Sequence, residues 1–143
     1  MKFTIPYFLI LLLVFSCNTK NQEQTDHFGS ENQEVFIKTI DAVTFKNLME
    51  SGKGIVLDVR TKGEVAQGVI PETLIIDIYD PEFSEKIKSL PKDKEVYVYC
   101  TSGVRSMMAA KILQRDGFDR VYNLRGGIIE WQTNRFPIER PVR

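Results

Sequence analysis

The sequence predicts an α/β domain: a mainly parallel sheet with helices over both faces. Runs of branched and aromatic residues at 55–59, 74–78, 95–99 and 121–124 alternate with segments of helical character. Such alternation is the pattern of parallel strands joined by helical crossovers. Ile55 to Val59 is apolar throughout except at Asp58, as expected of a strand covered on both sides. With 143 residues, 43% of them hydrophobic and 27% charged, there is material for one domain with a real core.

Taken in order, Val35 to Ile37 forms a short strand. Asp41 caps a helix over Ala42 to Glu50 that stops at Gly52. Ile55 to Val59 and Leu74 to Ile78 are the next two strands. Pro81 opens a helix that runs to Leu90, and Pro91 ends it, because proline suits the first turn but cannot continue a helix. Glu95 to Tyr99 is a strand, followed by a helix over Ser106 to Asp116 with Met107, Ala110, Ile112 and Leu113 on or near its buried side. Val121 to Leu124 is the last strand and Ile128 to Thr133 a closing helix, with Gly126 and Gly127 giving the backbone freedom between them. Ligands of such sheets bind beyond the carboxyl ends of the strands, where Asp58 and Cys100 both fall.

Residues 1–16 stand apart: Lys2 supplies a positive charge, Ile5 to Phe15 an apolar stretch too brief to span a bilayer comfortably, and Ser16 precedes Cys17. Val14-Phe15-Ser16-Cys17 resembles a bacterial lipoprotein signal, with an aliphatic residue three before the cysteine and a small one just before it. That resemblance implies cleavage before Cys17, acylation of its sulfur and amine, and a domain held on the cell envelope outside the cytoplasm, facing the periplasm. Residues 17–34 then read as a lipidated N-terminus and flexible tether, nearly free of aliphatic side chains. Its His27 is the sole histidine of the chain and is expected to be solvated and inert. The domain occupies residues 35–143.

The most informative stretch is Tyr97-Val98-Tyr99-Cys100-Thr101-Ser102-Gly103-Val104-Arg105-Ser106. A strand ending on a thiol, a short loop and a helix start would surround the sulfur with backbone N–H groups, with a guanidinium nearby. This environment favours a nucleophilic thiolate. The candidate site is therefore Cys100 as nucleophile, with Arg105, Thr101, Ser102, Gly103, Val104 and Ser106 binding substrate. Asp58 and Arg60 are expected to brace neighbouring loops, with Arg60 reaching Glu64 one turn on.

A wider set of motifs carries a resemblance to the rhodanese (sulfurtransferase) domain: Val56-Leu57-Asp58-Val59-Arg60 with Glu64, then Gly68-Val69-Ile70-Pro71, the Cys100 to Arg105 loop, Gly117-Phe118, and Val121-Tyr122-Asn123-Leu124-Arg125-Gly126-Gly127-Ile128 before Trp131 and Pro137. The resemblance implies the rhodanese-like three-layer α/β fold. It also implies a Cys100 persulfide that carries sulfane sulfur from thiosulfate or a polysulfide or persulfide donor to a thiol or cyanide-like acceptor, with no metal or organic cofactor. Val69 stands where many members have histidine, and Glu72-Thr73 replace the usual Gly-Ala.

Competing readings fall away unevenly. With two cysteines and no Cys-x-x-Cys, a thioredoxin-type dithiol is excluded; two cysteines and one histidine this far apart assemble no zinc site. A cysteine protease would need a histidine in the fold. A cysteine phosphatase has a similar loop but carries five residues between cysteine and arginine, whereas four intervene here. A tethered binding or scaffold module of the same fold, without turnover, is the alternative of another class. Lysine plus arginine equal aspartate plus glutamate at 19 each, so nothing marks a nucleic-acid partner.

Overall fold

The structure is a computed structural model, and it describes residues 35–140. The lipoprotein signal, Cys17 and the tether with His27 lie outside the described residues.

Ten elements follow one another: β1 (Phe36–Ile40), α1 (Ala42–Glu50), β2 (Gly54–Asp58), α2 (Lys62–Val65), β3 (Thr73–Ile75), α3 (Phe83–Lys88), β4 (Glu95–Tyr99), α4 (Val104–Arg115), β5 (Arg120–Leu124) and α5 (Gly127–Thr133). The strands form one sheet in the order β1-β5-β4-β2-β3, and every pairing is parallel. All five carboxyl ends therefore share one rim.

Alternation along the strands divides the core. Val96, Val98 and Cys100 point to one face, where Phe83 and Ile87 of α3 and Ala109, Ala110 and Leu113 of α4 cover them. Tyr97 and Tyr99 point to the other, against Ala42 and Phe45 of α1 and Ile128 and Trp131 of α5. On that second face Phe45 meets Tyr97, Tyr99 and Trp131 edge to face at centroid separations of 5.9, 6.5 and 6.2 Å. The result is the expected three-layer α/β arrangement.

Several boundaries differ from the sequence expectation. β1 begins at Phe36 and continues to Ile40, because β5 supplies partners from Arg120 to Leu124 along its whole length; exposed Lys38 and Thr39 hide this in the sequence. β3 covers only Thr73–Ile75, the part that faces Val56 to Asp58 of β2. The helix expected from Pro81 begins at Phe83, since the Asp80 carboxylate accepts from Glu82 N and the Asp80 carbonyl from Phe83 N, closing a turn first. α4 starts two residues early, at Val104. The one-turn α2 escapes a periodicity argument, although Thr61 and Glu64 close a capping box at its start. α1 lies as expected, with Asp41 accepting from Thr44 N at 2.8 Å.

Candidate functional site

β4 ends at Tyr99, and the chain turns through Cys100, Thr101 and Ser102 before Gly103 caps α4. Gly103 sits at φ 91°, and a Cβ there would lie 1.9 Å from the Arg125 carbonyl oxygen, so the turn needs glycine on both counts. From the other side the start of α5 clamps the same loop: Ile128 N donates to Cys100 O at 2.8 Å and Ile129 N to Thr101 O at 3.3 Å. Gly127 makes that approach possible, since its φ is +58° and a Cβ would stand 2.4 Å from Cys100 O.

Inside the loop Gly103 N–H donates to Cys100 Sγ at 3.2 Å and the Ser106 hydroxyl at 3.4 Å. Burial pushes the thiol pKa up. The Ser106 hydroxyl, with the N–H groups of Ser106, Ser102 and Gly103, outweighs that and holds it below the ordinary thiol value. The residue itself is 1% exposed. The thiolate is thus favoured by donors of its own loop and of the first turn of α4.

Arg105 is engaged elsewhere. Its Nη1 donates to Glu64 Oε2 at 2.8 Å and its Nη2 to Glu64 Oε1 at 2.5 Å, a bidentate fork, while Nη2 also reaches Thr101 Oγ1 at 2.9 Å. Thr101 in turn donates its hydroxyl to Glu64 Oε1 at 2.5 Å. Glu64 Oε2 accepts further from Thr61 N and Oγ1 at 3.1 and 2.7 Å. The guanidinium and the Thr101 and Thr61 donors together hold the Glu64 carboxyl far below the usual carboxylate range, and Glu64 raises Arg105 in return. The Tyr79 ring lies beside Arg105, 5.9 Å from centroid to Cζ.

Asp58 and Arg60 form a buried pair, their side chains 0% and 4% exposed, with Arg60 Nη2 2.6 Å from Asp58 Oδ2. The same nitrogen donates to Gly68 O at 2.7 Å. Arg60 therefore pairs with Asp58 and ties down the 68–70 segment, and its only hydrogen bond to Glu64 is to the backbone carbonyl, at 3.5 Å. The expected reach to the Glu64 carboxylate is corrected accordingly: that carboxylate is already filled by Arg105, Thr101 and Thr61. Val69, buried, exchanges backbone hydrogen bonds with Glu139 at 2.8 and 2.9 Å, and Ile70 N donates to Tyr99 Oη at 3.1 Å. Backbone pairing thus fixes this segment without a histidine.

Cys100, Thr101, Gly103, Arg105 and Ser106 come together around the sulfur or the Glu64 network. Ser102 lends its N–H to the thiol and is otherwise exposed, as is Val104. Glu64, as partner of Arg105, and Gly127, as clamp, are the residues that the sequence argument did not place in the site. In the sequence Glu64 figures only as a motif residue and as the expected partner of Arg60. Asn123 is a third: buried on β5, it donates Nδ2 to Gly103 O at 3.3 Å.

Comparison with known proteins identifies the family. The family model of the Rhodanese-like domain matches residues 41–134. A protein of Allochromatium vinosum named "Sulfurtransferase" is 37% identical over 106 residues, covering 73% of this chain and 97% of that protein. "Thiosulfate sulfurtransferase 18" of Arabidopsis thaliana is 33% identical, covering 71% of this chain and 83% of its own length. Among solved structures, a rhodanese-related protein from Thermoplasma volcanium superposes with a TM-score of 0.65 at 32% identity, over 73% of this chain and 99% of that one.

Proposed function

This chain belongs to the rhodanese-like domain family, and from that membership we propose that it is a sulfurtransferase working through a Cys100 persulfide. The observation that carries the reading is the cradle of N–H and hydroxyl donors converging on Cys100 Sγ, which favours the ionised sulfur without a general base. The Cys100 thiolate attacks the outer sulfur of thiosulfate. A new S–S bond forms at Sγ, the S–S bond of the donor breaks, and sulfite leaves with its electron pair. A polysulfide or persulfide donor loses a thiolate instead. The outer sulfur of the Cys100 persulfide then passes to a thiol or cyanide-like acceptor, restoring the thiolate. The loop N–H groups stay aimed at the anionic sulfur throughout.

The test is intact-mass analysis after incubation with thiosulfate or polysulfide. One added sulfur, about 32 Da, is expected on the parent protein and none on folded Cys100→Ser, because oxygen cannot hold a persulfide. Transfer retained by that variant removes Cys100 from the mechanism. The alternative, a rhodanese-fold binding module without turnover, draws on the 1% exposure of Cys100, and absence of any adduct with either donor favours it. A phosphatase reading is weaker, since the Arg105 fork grips Glu64.

We further propose, from the Val14 to Cys17 motif, that the domain is anchored on the periplasmic side of the envelope by lipid on Cys17. Cys17→Ala is expected to release the protein from the membrane fraction while sulfur loading at Cys100 persists. Unchanged membrane retention contradicts the anchor.

A further inference from the structure

We propose that Glu64 sets the charge of the sulfur donor: by holding the Arg105 guanidinium in a bidentate fork, it turns the site away from dianionic thiosulfate and toward singly charged sulfane donors such as alkyl thiosulfonates and persulfides. The inference rests on the proposed sulfur transfer at Cys100 and narrows its substrate.

A thiolate and a dianion repel each other, so a site built to accept thiosulfate would keep a cation free beside the sulfur. Arg105 is the basic residue of this loop. Both of its terminal nitrogens are directed at Glu64, at 2.8 and 2.5 Å, and Nη2 also meets Thr101 Oγ1 at 2.9 Å. The planar fork matches a carboxylate, and filling it with Glu64 leaves a pair of no net charge. Glu64 itself cannot swing away freely, since Thr61 and Thr101 hold both carboxylate oxygens as well. Side-chain exposures of 20% for Arg105 and 29% for Glu64 place the pair at the edge of the site, within reach of an arriving anion. Thr101 is engaged by the same network, so its hydroxyl does not compensate.

Thiosulfate and methanethiosulfonate present the same kind of reacting centre, a sulfane sulfur bonded to a sulfonyl group, and differ by one negative charge. With thiosulfate the Cys100 thiolate takes the outer sulfur and sulfite departs. With methanethiosulfonate it takes the same sulfur and methanesulfinate departs, so in both cases one S–S bond forms as one S–S bond breaks. The rate of single-sulfur loading at Cys100 is measured by intact mass for the full-length protein and for Glu64→Gln with each donor. The isosteric amide removes the negative charge and frees the guanidinium. The ratio of the thiosulfate rate to the methanethiosulfonate rate is expected to rise in Glu64→Gln on the order of tenfold over the parent. In the unaltered protein, added salt should speed loading from thiosulfate more than from methanethiosulfonate, because the dianion suffers more repulsion to be screened. That arm does not depend on the variant folding.

An unchanged ratio in folded Glu64→Gln, including equal losses with both donors, overturns the proposal and leaves Glu64 a structural residue. Equal salt responses for the two donors overturn it as well. Failure of both donors to load Cys100 in the unaltered protein is a different result, which removes the sulfur-transfer reading itself.

Discussion

Replacing Ser106 with alanine tests how the loop ionises its sulfur. The Ser106 side chain is fully buried on the first turn of α4 and donates its hydroxyl to Cys100 Sγ at 3.4 Å. A hydrogen bond to a charged group contributes about 1.5–3 kcal/mol net. The long contact and the N–H donors that remain place this one at the lower end, about 1.5 kcal/mol, or about one pKa unit. The sign follows from which form is favoured: the donor stabilises the thiolate, so its loss raises the thiol pKa. The fold should survive, since alanine is a better helix residue than serine by about 0.5 kcal/mol. The assay is the rate of iodoacetamide alkylation at Cys100, followed by peptide mass across pH. The midpoint should move up by about one unit and the rate well below it fall about tenfold, with similar plateaus at high pH. An unmoved midpoint, or a loss of equal size at every pH, would refute the reasoning, the second because it signals altered access rather than altered ionisation.

Asp58→Ala leaves the Arg60 cation in the core with only carbonyl partners, and breaking a buried pair in this way costs about 3–5 kcal/mol; urea unfolding should show it, and a loss below about 1 kcal/mol would mean that the pair adds little. Gly127→Ala forces a side chain into the left-handed region, at about 1–2 kcal/mol, and drives its Cβ against Cys100 O. Stability and the rate of sulfur loading should then fall together, and a variant with parental values for both would remove the α5 clamp from the account of the loop.

The local part of this protein was legible in its sequence. Strand, thiol, short loop and helix follow one another over 95–115, so the donor cradle around Cys100 is assembled by neighbours in the chain, and residue type with spacing is enough to anticipate it. The strand and helix succession likewise determined the class of fold, because parallel strands need crossovers. The motifs shared with the rhodanese family reached the same fold from a second direction. What tertiary structure decided was partnership. Two arginines compete for two carboxylates, and the sequence favoured the near match, Arg60 with Glu64 four positions on. In the fold Arg60 closes on Asp58 at the end of β2, and Glu64 is taken by Arg105, 41 positions away. Gly127 approaches Cys100 in the same way, through the packing of α5 against the sheet. Spacing in a sequence reports only which side chains the backbone could bring together locally; which charge meets which depends on the parallel sheet setting the ends of β2 and β4 side by side at one rim.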